Sequence, residues 1–164
     1  MSKFDELCKS YSDARKYYFD YQESCFQFAG KLVKILVDYI EIPKEQIDFV
    51  PLKEDIKPNT KYSIPGSMHL DDDSYWHLGI KITVYEKKNI YPHQPLLVRI
   101  LIKKKDSSYI VKLGIDGEPI IIRPDIDDDF NIFSESLYKL LKNVYEGRLQ
   151  KFLEKEEVVK RIGF

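Results

Sequence analysis

The chain has 164 residues, 43% hydrophobic and 32% charged, a balance that suits one folded domain and argues against disorder. Its 26 basic residues against 27 acidic leave a net charge of −1, without the basic stripe that duplex nucleic acid demands. No run of about 18 apolar residues occurs, and the N-terminal residues Met1 to Glu6 lack a signal peptide's apolar core, so a cytoplasmic protein with no membrane segment is expected.

The spacing predicts a long helix over residues 1–42. Phe4, Leu7, Tyr11, Ala14, Tyr18, Tyr21, Cys25, Phe28, Leu32, Ile35 and Tyr39 alternate steps of three and four, and no proline interrupts them. A continuous helix of that length reaches roughly 60 Å, while a ten-residue strand spans only about 33 Å, so a sheet cannot cover it all. Either the helix breaks near Ser10 to Asp13 or its first half projects and finds a partner. The second half is apolar on more than one face through Phe26, Ala29, Val33, Leu36 and Val37, which assigns it to the core. Cys8 and Cys25 on one helix would be about 25 Å apart, too far to bridge, so both are expected reduced.

Pro43 ends the helix, and residues 42–60 read as a connecting loop in which Ile47, Phe49 and Val50 form a short strand or plug. Residues 61–70 read as a first strand bent at Pro65-Gly66, and Asp71 to Ser74 as a turn. Trp76, Leu78, Ile80, Ile82 and Val84 then alternate with more polar residues, the period of a strand with one dry face. Residues 86–95 are expected as a loop carrying Pro92 and Pro95. The run from Leu96 to Ile102 is more uniformly apolar, as in a strand covered on both sides. Tyr109, Val111, Leu113 and Ile115 alternate again, and Asp116-Gly117 predicts a tight hairpin into Ile120 to Ile122.

After Pro124 a set of aspartates precedes a second helix, expected over residues 129–157, with Phe130, Phe133, Leu137, Leu140, Leu141, Val144, Phe152 and Leu153 on its apolar face. Gly147 is expected to kink or divide it, and residues 162–164 read as an apolar tip. The sequence thus predicts one α+β domain over residues 1–164. Its sheet, residues 61–123, is an antiparallel four- to five-stranded meander flanked by a long N-terminal helix and a C-terminal helix. No parallel unit is implied, because no helical segment separates the strands.

Chemistry-bearing patterns are few. Asp71 and Asp73, followed thirteen residues on by Glu86-Lys87-Lys88 at a strand end, form the sharpest one. This arrangement resembles the core of the PD-(D/E)xK nucleases. The resemblance implies that two carboxylates drawn from Asp71, Asp73 and Glu86 hold Mg²⁺, with Lys88 orienting or activating the attacking water. The chain departs from that family in having no room for a helix between the Leu96 and Tyr109 strands. A polar hairpin turn plus a charged strand end is the alternative reading of the same residues.

His69 and His77 flank the Asp triplet. A two- or four-residue hairpin loop would set His69 opposite Trp76 and send His77 to the other face; only an odd loop brings both imidazoles together. No metal is therefore assigned from sequence. Asp125, Asp127 and Asp129 lack the glycine and glutamate of a Ca²⁺ loop and read as helix capping. A ligand pocket lined by tyrosines and Trp76 is a further option.

The function expected from these features is a non-enzymatic protein-binding or accessory module without cofactor. It would self-associate or dock to a protein partner through the N-terminal helix, with Phe4, Leu7, Tyr11, Tyr18 and Tyr21 as interface candidates. The metal-dependent nuclease or phosphodiesterase is the alternative.

Overall fold

The computed structural model describes residues 2–53, 55–87, 90–146 and 160–163. Helix α1 runs unbroken over Lys3–Ile40, 38 residues or about 57 Å. A capping box starts it: Ser2 Oγ accepts from the Asp5 amide while the Asp5 carboxylate accepts from the Ser2 amide. It stops at Glu41, which takes the left-handed conformation at φ 60° just before Pro43. No helix among the described residues is long and apolar enough to cross a membrane.

The sheet strands are β1 (Ile47–Val50), β2 (Met68–Leu70), β3 (Trp76–Lys87), β4 (Ile90–Lys105), β5 (Ser108–Leu113), β6 (Ile120–Ile122) and β7 (Lys160–Ile162), and helix α2 spans Asp127–Glu146. Strands β3 to β6 form the expected antiparallel meander. β1 and β2 share one edge of β3, both antiparallel to it. The fold is α+β, with one long helix at each side of the meander in sequence.

The core lies where the helices meet one face of the sheet. Trp76, Leu78, Ile80 and Ile82 face Ile102, Ile100, Val98 and Leu96 across the β3–β4 ladder, and all are buried. Cys25, Phe28, Ala29, Leu32, Val33 and Leu36 of α1 and Phe130, Phe133 and Leu137 of α2 close over them. Phe28 stacks on Tyr109 at 3.9 Å between centroids and tilts against Phe130 at 5.4 Å, so one ring joins both helices to β5. Each such side chain fully removed from water contributes about 1.5–3 kcal/mol. The second half of α1 is thereby anchored, as its two-sided apolar pattern implies.

The opposite sheet face is also dry in its middle. His77 and Leu101 are buried there, and a Cβ at Gly79 would stand 2.2 Å from the Val50 carbonyl oxygen and 2.8 Å from Leu52. Glycine lets the chain after β1 lie flat on β3 at that point.

Several expected boundaries change. The predicted strand over residues 61–70 is confined to Met68–Leu70, with a 3-10 turn at Pro65–Ser67, because Pro65 supplies no amide for a ladder. The loop expected over residues 86–95 is largely strand: β3 reaches Lys87 and β4 begins at Ile90, with a register shift between Tyr85 and Lys87. Asp116-Gly117 is not a two-residue hairpin. The tight connection is Asp106-Ser107, where Lys105 pairs with Ser108 and Asp106 takes φ 56°. Near Asp116 the left-handed residue is instead Gly114, at φ 85°.

A parallel strand, absent from the sequence reading, completes the sheet: β7 pairs with Leu96 to Val98 of β4 and buries Ile162. Beyond it Gly163, at φ 87°, meets Gly114 backbone to backbone; a Cβ on Gly114 would stand 2.2 Å from the Gly163 Cα. Gly114 also donates its amide to the Arg99 carbonyl at 3.1 Å. Gly147, Phe152, Leu153 and the expected helix end at 157 lie outside the described residues.

Candidate functional site

Two features carry unspent chemistry: the free half of α1 and a polar cluster at the β2–β3 turn. Residues 2–20 of the chain are all exposed, and burial begins only at Tyr21. Phe4, Leu7 and Tyr11 are 71%, 65% and 64% exposed, and Tyr18 is exposed beside them. Tyr21, the fifth interface candidate, is half-buried and packs against the core. Tyr17 and Phe19 are exposed as well and widen the aromatic surface beyond the stripe that periodicity marks. The Arg15 guanidinium lies 5.1 Å from the Phe19 ring and 5.9 Å from that of Tyr11. Lys3, Lys9, Arg15 and Lys16 balance Asp5, Glu6, Asp13 and Asp20, so this half-helix carries no net charge.

At the turn, Leu70 pairs with Trp76 and His69 with His77, leaving a five-residue loop from Asp71 to Tyr75. The loop count is odd, and both imidazoles come to one face, with rings 5.1 Å apart and 26° from parallel. Local hydrogen bonds set the loop: the Asp71 amide donates to the Tyr75 carbonyl at 3.1 Å, and the Tyr75 amide to Asp73 Oδ1 at 2.9 Å. The polar atoms converge. His77 Nε2 lies 2.9 Å from Asp73 Oδ2 and 3.8 Å from Asp71 Oδ2, which is itself 3.5 Å from His69 Nε2. The nearest ligand atoms of His69, Asp71 and His77 all fall within 4.8 Å of one another.

Arg99 reaches the same ring from β4, with Nη1 2.7 Å from His77 Nδ1. A guanidinium only donates, so Nδ1 accepts and a neutral His77 carries its proton on Nε2, donated to Asp73. A hydrogen bond of this charged kind is worth about 1.5–3 kcal/mol. Burial lowers the His69 pKa, helped by the neighbouring His77 and by Lys53, and opposed by Asp71. The Asp72 amide holds the Asp71 carboxyl below its usual range. Burial works the other way on Asp73, but the Tyr75 amide and His77 outweigh it and leave that pKa low too. The cluster therefore gathers two carboxylates held below their usual range and two imidazoles beside one guanidinium.

Among the described residues, those matching the nuclease pattern do not gather. Asp71 and Asp73 stand at the start of β3 and Glu86 near its far end, ten residues past Trp76 or roughly 33 Å along an extended strand. Lys88 lies outside the described residues. His93 pairs with Tyr85 at that far end, away from the other histidines. The pocket option meets a cleft of about 350 Å³ between the C-terminal turns of α1 and α2 and strands β3 and β4. Tyr85, Tyr138 and Tyr145 line it, while Trp76 is instead in the core against Phe26.

Asp127 and Asp129 fall in the first turn of α2, where acids complement the helix dipole, and Asp125 lies two residues ahead of it. Asp129 Oδ2 accepts from the Arg123 amide at 2.9 Å and from Arg123 Nε at 2.8 Å, and the Arg123 partnership brings its pKa down to about 2. Sequence reasoning missed Arg99; a lone cation inside the apolar run Leu96 to Ile102 is the signal that marks it.

No protein-family model, curated protein or solved structure matches the chain.

Proposed function

We propose that the chain is a non-enzymatic binding module that docks through the projecting half of α1, and that the surface it meets is the same half-helix of a second copy. The observation that carries this reading is the uninterrupted exposure of residues 2–20 with Phe4, Leu7, Tyr11 and Tyr18 on one stripe. A projecting stretch of helix without tertiary packing rests on propensity alone, and this one has many residues of modest helix propensity. Burial of its apolar stripe supplies what propensity lacks.

The polar surface favours protein over other partners. An interfacial membrane helix or a nucleic-acid arm carries excess Lys and Arg, whereas the eight charges here cancel. A second copy suits that balance. In an antiparallel pairing that sets Phe4 against Tyr21, Leu7 against Tyr18 and Tyr11 against Ala14, the flanking cations Lys3 and Arg15 meet Gln22 and Ser10, not each other. The two folded bodies then sit at opposite ends of the contact. Two unpaired thiols, Cys8 and Cys25, fit a reducing cytoplasmic setting.

Light scattering on the eluting full chain tests this. A mass near twice 19.4 kDa is expected, falling to 19.4 kDa when Leu7→Glu and Tyr11→Glu are combined. A wild-type chain that stays monomeric at hundreds of micromolar would refute the second copy as occupant.

A further inference from the structure

We propose that His69, Asp71 and His77 bind one divalent transition-metal ion, zinc by preference, which staples the β2–β3 turn. The strand register itself makes the site, since it sets His69 directly opposite His77 with Asp71 closing the loop between them. Zinc bonds of about 2.0–2.2 Å put neighbouring ligand atoms of a tetrahedron roughly 3.3 Å apart. Two of the three edges here measure 3.5 and 3.8 Å, and the third is no more than 4.8 Å. Small side-chain shifts close that gap. His77 is 1% exposed and contributes a nitrogen whose orientation is already held, so little freedom is lost on binding.

The donor set selects the ion. Two imidazole nitrogens and a carboxylate suit zinc and its first-row neighbours, whereas Mg²⁺ and Ca²⁺ require a shell of oxygens. Asp73, 2.9 Å from His77 Nε2, stands ready to supply the fourth ligand or to hold a bound water.

Arg99 opposes the ion through chemistry that can be tested. When a metal takes the Nε2 lone pair, the His77 proton moves to Nδ1 and none leaves the ring. That N–H then faces a guanidinium with no acceptor, so Arg99 must swing aside. Metal-bound histidines ordinarily donate their second N–H to an oxygen. Gln at position 99 offers such an oxygen, so Arg99→Gln converts an opposing neighbour into a supporting one.

The test uses the untagged full chain titrated with Zn²⁺ against a chromophoric chelator, and with Co²⁺ read by visible absorption. One ion per chain is expected, with Mg²⁺ unable to compete. His69→Ala, at a half-buried position, should weaken binding by at least about tenfold with an unchanged circular dichroism spectrum. Arg99→Gln should tighten it by about tenfold or more. Absence of zinc binding by the wild type, or equal affinity in His69→Ala, overturns the site. An Arg99→Gln affinity at or below that of the wild type overturns ligation through His77 Nε2.

Discussion

Arg99 donates from Nη1 to Nδ1 of His77 across 2.7 Å, and this contact dictates which ring nitrogen carries the proton. His77 should therefore give the NMR signature of an Nε2–H tautomer near pH 7 in metal-free protein. Arg99→Ala leaves the Nδ1 acceptor of a buried ring unpaired, at a cost of about 1–3 kcal/mol in chemical denaturation. A variant as stable as the wild type would remove Arg99 from this role.

His69 predicts an acid-side loss of stability. Its pKa in the folded chain lies below the ordinary 6.5, chiefly through burial and the facing His77, with Asp71 opposing. Between the folded and ordinary values the unfolded chain binds more protons, so stability rises with pH across that window. It is fully present above about pH 6.5 and declines as pH falls toward the folded-state value. Thermal melts at pH 7.5 and 5.5 should separate more for the wild type than for His69→Gln. Identical pH slopes would contradict the assignment.

Asp129 acts at lower pH with the same sign. Its carboxyl, held at about 2 by Arg123, contributes stability above its ordinary value of 3.8 that is lost as pH falls toward 2. Asp129→Asn should flatten the stability profile between those limits while weakening the protein at pH 7, because Arg123 loses a charged acceptor at the start of α2. Urea midpoints measured across that range decide the point.

The antiparallel contact proposed for α1 predicts the behaviour of Cys8. Opposing Cys8 to position 17 of the second copy separates the two Cys8 residues by nine residues along the axis, about 13 Å, beyond disulfide reach. Mild oxidation of the associated chain should give no covalent dimer, whereas a parallel pairing would set the two thiols side by side. A disulfide-linked band formed rapidly at low protein concentration would exclude the antiparallel arrangement.

Much of this architecture is written in periodicity. The alternation from Trp76 to Val84 identifies β3 and its dry face, and the unbroken three-four spacing from Phe4 to Tyr39 identifies α1 as too long for the sheet. The histidine cluster depends on a smaller quantity, the parity of the loop between Leu70 and Trp76. An Asp-rich turn accommodates four or five residues equally well, so composition cannot reveal that His69 and His77 share a face. β7 escapes for a related reason: three residues, Lys160–Ile162, hold too little pattern to distinguish a strand from a tip. Gly79 inside an apolar strand and Arg99 inside another were the local irregularities pointing to the covered outer face and its cluster.

The contact between Gly114 and Gly163 has a reach beyond its own turn. A Cβ on Gly163 would stand 3.2 Å from the Arg99 carbonyl, the oxygen that also receives the Gly114 amide. The main chain of Arg99 is thus wedged where β4, β5 and β7 converge, while its side chain steadies an imidazole on the neighbouring strand. A methyl group at either glycine would pry that junction apart, and the disturbance would travel through one arginine to the histidines.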